Sequence, residues 1–205
     1  MKPVGRANLF AAVGFFLLAA LLWTHRVVLD APRSWSISSS DIFLFTWPEV
    51  VYAWQRVQAG ELPLWNPFQL AGMPFSSLQS RAIFYPPNLL LLHLAPSPAA
   101  LLTLQAVFHF AAAGFFTWLF CTRLGFRTAA ALTSALAFML SIKIFNEIYF
   151  AVWLATIPWL PAILWAVHGL LQLIDLFGIG VWKITTVQAH SIHGGVSPAG
   201  ILPIQ

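Results

Sequence analysis

The sequence predicts an all-α integral membrane protein with about four transmembrane helices and a large first extracytoplasmic loop that contains an amphipathic helix. Hydrophobic residues make up 60% and charged residues only 8% of the chain, and its mean hydropathy is +0.81. Ordinary globular domains contain about 25% charged residues. The apolar residues also form runs that approach the ~20 residues needed to cross a bilayer. A water-soluble domain cannot cover its surface with so few charges.

The first span is predicted over residues 9–29, after a cytoplasmic amino terminus of residues 1–8 that carries Lys2 and Arg6. A cleaved signal peptide is the alternative, but no small-x-small cleavage site follows the apolar run. Residues 99–167 supply three further apolar stretches, which predict spans at Ala99–Phe120, Thr128–Ile142 and Ile148–Val167.

The second and third spans are separated by a short segment that carries Arg123 and Arg127. Short basic segments favour the cytoplasm, so the amino terminus and this segment are predicted to lie inside, and residues 30–98 outside. Pro158 and Pro161 predict a kink in the fourth span, because proline lacks the N–H that the helical ladder needs.

An amphipathic helix is predicted from Trp47 to Ala59 in the outer loop. Apolar residues recur there at helical spacing, and the pattern favours a helix along the membrane surface. Thr46 and Glu49 fit a capping box, and Gly60 supplies a stop signal.

The segment after Gly60 has too many prolines and glycines for regular structure, yet it is rich in aromatic residues, which disordered linkers lack. It is therefore predicted to fold back onto the helix and the outer membrane face. The apolar run Leu89–Leu94 is too short to span and predicts a re-entrant or interfacial segment.

An ordered set of residues and motifs runs through the outer loop, namely Asp41, Pro48, GELPLWNP at 60–67, GMPF at 72–75, Gln79 and Tyr85-Pro86. With this set the outer loop resembles that of the YfhO family of bacterial membrane proteins. The resemblance covers roughly residues 8–167. It implies the glycosyltransferase C superfamily, whose members transfer a sugar from a polyprenyl-phosphate carrier to an acceptor outside the membrane.

The resemblance implies that this chain lies in the bacterial cytoplasmic membrane as a multi-pass protein. Its expected partners are membrane lipid, a polyprenyl-phosphate sugar and a cell-envelope glycan or polymer acceptor. Nucleic acid is not an expected partner, because the 10 basic residues are scattered without a run or stripe. The single cysteine, Cys121, excludes an internal disulfide.

The resemblance implies that Asp41 is the catalytic base, because in that superfamily an acidic residue of the first outer loop, shortly after the first span, serves catalysis. Glycosyl transfer needs such a group to take the acceptor hydroxyl proton. The competing interpretation is a helix cap or a solvated loop carboxylate. The candidate substrate-binding residues are Trp65, Asn66, Gln79 and Arg81. Of these, Trp65 could stack on a sugar ring and Arg81 could approach a phosphate, but an interfacial anchor and a plain surface arginine are the alternatives.

Two pairs of polar residues are spaced by four near or within the predicted spans: Gln105 with His109, and Lys143 with Glu147. For the first pair, interhelical hydrogen bonding is favoured over a cavity or ion site. The second pair fits either an outer active site or an ordinary ion pair. No cofactor is certain from the sequence, and a divalent metal that assists the phosphate leaving group is a candidate.

Residues 168–205 form an atypical tail without a clear period, and we treat a truncated or frame-shifted product as a hypothesis. The chain would then be the amino-terminal part of a longer transferase and inactive alone. The alternatives are a non-catalytic membrane scaffold or assembly protein, and a transporter or flippase subunit.

Overall fold

The computed structural model describes residues 5–25, 44, 46–75, 82–141 and 151–193, with side chains in the last range described for 154–177. The chain divides into two compact units, Met1–Ile163 and Leu164–Gln205. The described elements of the chain are α1 (Arg6–Trp23), α2 (Trp47–Gln58), β1 (Trp65–Asn66), β2 (Met73–Pro74), α3 (Pro86–Leu94), α4 (Pro98–Arg123), α5 (Thr128–Met139), α6 (Ala151–Thr156) and α7 (Trp159–His193).

Helix α4 is the centre of the first unit, and α1 and α5 make the most extensive packing contacts with it. Phe16 of α1, Phe110 of α4 and Met139 of α5 are fully buried. Gly114 lets these helices approach closely, since a Cβ at this position would lie 2.6 Å from Phe16 Cδ1 and 2.9 Å from Met139 Sδ. Small residues at such crossings are typical of membrane helices, whose association depends on close packing.

Three stretches of the described residues are long and apolar enough to cross a membrane, namely Arg6–Trp23, Pro98–Arg123 and Leu154–Phe177. They correspond to the predicted first, second and fourth spans. The predicted third span is represented by α5, whose 12 residues extend about 18 Å, less than the ~30 Å hydrocarbon core. Residues 142–150, which comprise the end of the predicted third span, the junction after it and the start of the predicted fourth span, lie outside the described part. So does the end of the predicted first span.

The predicted kink near Pro158 takes the form of a break in the helix. Helix α6 ends at Thr156, a turn contains Pro158, and α7 begins at Trp159. Pro161 lies in the first turn of α7, where a missing N–H costs little. Helix α7 then continues to His193, through most of the tail for which no regular structure was predicted.

Helix α2 agrees with the predicted range to within one residue, and Gly60 follows it with φ +78°. Thr46 is its N-cap, but the Thr46 side chain accepts no capping hydrogen bond, so that half of the predicted capping box is not formed. The face of α2 that carries Val50 and Val57 is buried in the protein, and the position of the helix along the membrane surface stays a prediction.

Two hydrogen bonds join α2 to the carboxyl-terminal half of α3. The Trp54 indole Nε1 donates to the Ala95 carbonyl at 2.9 Å, and the Gln58 amide Nε2 donates to the Leu92 carbonyl at 3.0 Å. Helix α3 covers the predicted interfacial run Leu89–Leu94. Its neighbour α4 begins at Pro98, so α2 is anchored close to the start of a candidate membrane span.

The segment after α2 contains a short antiparallel hairpin, although its prolines and glycines predicted no regular structure. Trp65 pairs with Pro74 and Asn66 pairs with Met73, and the Phe75 N–H donates to the Leu64 carbonyl at 2.8 Å. The hairpin folds back against α2, as predicted from its aromatic content.

Candidate functional site

The candidate site is formed by α2 and the hairpin. The two are joined by a turn in which Arg56 and Glu61 form an exposed ion pair, and the Glu61 N–H donates to the Arg56 carbonyl at 2.9 Å. Exposed ion pairs contribute ~0–1 kcal/mol. The turn therefore fixes the chain direction mainly through Gly60, whose positive φ is inexpensive only for glycine.

Tyr52 of α2 connects the helix to the hairpin. Its hydroxyl donates to the Trp65 carbonyl at 2.5 Å. Its ring lies edge-on to Phe68, with ring centroids 5.8 Å apart, and tilted against the buried Phe75 at 5.7 Å. One residue of α2 thus positions the backbone of β1 and the rings on both sides of the hairpin.

The Trp65 side chain is held by Gly72 across the hairpin. A Cβ at Gly72 would lie 2.8 Å from Trp65 Cζ2, and the Gly72 φ is +109°. Both facts require glycine at this position. Trp65 remains 54% exposed, so the predicted sugar-stacking candidate presents part of its ring at the surface.

Asn66 is 3% exposed, and both ends of its amide make local hydrogen bonds. Its Oδ1 accepts from the Phe68 N–H at 3.0 Å, and its Nδ2 donates to Gln69 Oε1 at 3.2 Å. Gln69 Nε2 in turn donates to Glu49 Oε1 at 2.8 Å. The buried carboxylate of Glu49 is therefore linked to the hairpin through two amides, and Asn66 shapes the turn.

A cleft of about 400 Å³ lies over this network. Its lining contains one carboxylate, three side-chain amides, one phenol and several apolar groups, contributed by Leu44, Pro48, Glu49, Val51, Tyr52, Gln55, Asn66, Phe68 and Gln69. None of these residues carries a positive charge. The cleft can hydrogen-bond a polar uncharged molecule and contact an apolar one along its rim, whereas the carboxylate disfavours an anion.

A second polar cluster is formed by Tyr85, which precedes α3, by His109 of α4 and by Trp159 at the start of α7. The Trp159 indole Nε1 donates to the Tyr85 hydroxyl at 2.7 Å, and the Tyr85 ring stacks on His109 with centroids 5.7 Å apart. Burial raises the pKa of the Tyr85 phenol above its ordinary value of 10.0, and the hydrogen bond from Trp159 opposes that increase. The phenol is therefore neutral at physiological pH.

His109 is 1% exposed, and its Nδ1 lies 2.6 Å from the Gln105 carbonyl in the same helix. Gln105 and His109, the pair predicted to hydrogen-bond between helices, are thus joined by a hydrogen bond within α4 that uses the Gln105 backbone. Nε2 of His109 has no hydrogen-bond partner among the described residues. Its surroundings are aromatic, with Phe108 edge-on and Tyr85 stacked.

Of the five candidate site residues from the sequence, the structure describes two, Trp65 and Asn66. Asp41, Gln79 and Arg81 lie outside the described residues, and so do Lys143 and Glu147. The described part of the chain contains no group of three His, Cys, Asp or Glu side chains that could hold a metal ion.

Sequence reasoning did not identify Tyr52 and Gln69 as site residues, and it assigned Glu49 to a capping box. A helical pattern marks which face of α2 is buried, but it cannot show that Gln69, twenty residues further on, reaches Glu49. The one available signal was a glutamate on a mostly apolar helix face, which requires a polar partner when it is buried.

No family model, curated protein or solved structure matches this chain. The resemblance of the outer loop to the YfhO family therefore stays a prediction from its residues.

Proposed function

We propose that this chain is the amino-terminal part of a membrane glycosyltransferase that moves a sugar from a polyprenyl-phosphate carrier to a glycan or polymer acceptor outside the bacterial cytoplasmic membrane. The observation that carries this proposal is the cleft between α2 and the hairpin. Its carboxylate and amides are groups that hydrogen-bond sugar hydroxyls, and its aromatic rim offers apolar contact. Helix α3 and the short Ala95–Ser97 connection join this site to α4, a candidate membrane span.

In this proposal Asp41 is the base that takes the acceptor proton. Glu49 and Gln69 contact the sugar, and Asn66 holds the turn that carries Gln69. The cleft does not bind the phosphate of the carrier, because the charge that the described residues contribute to its lining is the Glu49 carboxylate. Arg81 is the candidate partner of the phosphate.

A photoreactive polyprenyl-phosphate sugar tests binding without requiring turnover. Membranes that contain the chain are irradiated with a donor whose reactive group is on the sugar, and labelled peptides are identified by mass spectrometry. We expect labelling of α2 and the hairpin that unlabelled donor suppresses and that Glu49→Gln reduces. Glu61→Gln is the matched control, because this carboxylate pairs with Arg56 at the surface and does not line the cleft.

Transfer is measured on the same membranes with a radiolabelled donor, and on the full-length protein if the encoding gene continues beyond this chain. Loss of a general base lowers a rate by about 10² to 10⁴-fold, so we expect a decrease of that size for Asp41→Asn. Equal transfer by the wild type and Asp41→Asn would remove Asp41 from the mechanism. Absence of both labelling and transfer across a broad panel of donors would reject the proposed function.

A further inference from the structure

The hairpin carries an exposed apolar surface that extends past the cleft, although Phe68 lines the cleft and Trp65 is the sugar-stacking candidate. Leu70 is 87% exposed and Phe68 is 82% exposed, and Leu64 and Trp65 are also more than half exposed. We call these four residues the apolar tip. Scattered exposed apolar residues are ordinary, but four large ones within one short hairpin are characteristic of a surface that contacts another apolar phase.

From these observations we propose that the apolar tip inserts into the interfacial layer of the lipid bilayer. The proposal rests on the membrane placement stated above and is independent of sugar transfer. Charge favours lipid as the occupant, because the sequence from Leu62 to Phe75 contains no charged residue. The nearest charge along the sequence, Glu61, is paired with Arg56, and the Glu49 carboxylate, which bonds Gln69, is buried. The combination of Trp, Phe and Leu is the composition that amphipathic segments place at the boundary between headgroups and acyl chains.

The turn also satisfies several backbone groups internally, which lowers the cost of moving it into a layer with less water. The Phe68 N–H donates to Asn66 Oδ1 at 3.0 Å, the Gly72 N–H donates to the Gln69 carbonyl at 2.8 Å, and the Phe75 N–H donates to the Leu64 carbonyl.

Connectivity keeps the apolar tip near the bilayer. Tyr52 fixes the hairpin to α2, and Trp54 and Gln58 fix α2 to α3. Helix α3 ends at Leu94, and the candidate span α4 begins at Pro98. A surface so close to a membrane span meets lipid at a high effective concentration, whereas a protein partner would have to be recruited.

The test uses the full chain in nanodiscs and an environment-sensitive fluorophore. Cys121 is the single cysteine and is buried, so Cys121→Ser provides a background in which Leu70→Cys is labelled with NBD. We expect the emission to shift to shorter wavelength and to be largely quenched by lipids brominated near the headgroup. Ala59→Cys, also exposed but next to the charged turn, should keep a water-like emission.

Phe10→Cys, exposed on the candidate span α1, is the positive control for membrane placement. Quenching at Phe10 with a water-like emission at Leu70 would reject insertion of the tip and leave the membrane placement intact. A shielded Leu70 label that brominated lipid does not quench would indicate a protein partner and would also overturn the proposal. Phe68→Asp should abolish the quenching of the label at position 70 by brominated lipid. Unchanged quenching in this variant would count against insertion of the apolar tip.

Discussion

Replacing Gly72 with alanine should open the hairpin that forms the candidate site. The new Cβ would lie 2.8 Å from Trp65 Cζ2 and 3.0 Å from Trp65 Nε1, at a backbone φ of +109°. Backbone strain of this kind costs ~1–3 kcal/mol, and overpacking costs ~1–3 kcal/mol. The free energy needed to open the hairpin should therefore fall by about 2 to 6 kcal/mol. Because 1.4 kcal/mol corresponds to a factor of ten in an equilibrium constant, the equilibrium constant for opening should increase at least about 30-fold.

Hydrogen exchange followed by mass spectrometry measures this opening directly. The peptide that contains the Gly72 and Phe75 amides, both hydrogen-bonded within the hairpin, should exchange at least about 30-fold faster, or at the rate of an unprotected amide if the hairpin opens more easily than that. Peptides from α4 should not change.

Gly60→Ala is the matched control, because Gly60 also has a positive φ of +78° but a Cβ there meets nothing within 4 Å. It should cost only the backbone strain, ~1–2 kcal/mol. Equal exchange in the hairpin of the Gly60 and Gly72 variants would refute the reasoning, since the contact with Trp65 would then cost nothing.

Two further predictions concern the packing around α4. Gly114→Ala should destabilise the protein by ~1–3 kcal/mol, because its Cβ would lie 2.6 Å from Phe16. It should lower the midpoint of thermal denaturation in detergent, while Gly14→Ala, which meets nothing within 4 Å, should not. A double-mutant cycle of Tyr85→Phe with Trp159→Phe should give a coupling of ~0.5–1.5 kcal/mol for their hydrogen bond, and strictly additive effects would contradict that bond.

The parts of the fold that the sequence predicted well are those set by local chemistry. The limits of α2 follow from an apolar period of 3.6, from Pro48 in its first turn and from Gly60 after its end. The break before Trp159 follows from Pro158. These signals act within a few residues of their effect, so a single sequence is enough to locate them.

The parts that were missed depend on distant contacts or lack a period. The two-residue strands are too short to show alternation and are held by Gly72 and by Phe75 pairing with Leu64. Helix α7 runs through the atypical tail, where the polar residues follow no clear 3.6-residue pattern. The network from Glu49 to Asn66 joins two segments that were interpreted separately, as a helix cap and as a loop motif.

The position of Tyr52 suggests why α2, and not the loop alone, determines the site. Tyr52 holds β1 through the Trp65 carbonyl, and three residues before it Glu49 holds the turn through Gln69. Residues three apart share one face of a helix, so the polar network and the aromatic contacts are presented by the same side of α2. Its opposite end is fixed to α3, through the Gln58 amide and the Leu92 carbonyl. A shift of α2 along its axis would therefore move the cleft floor and the apolar tip together.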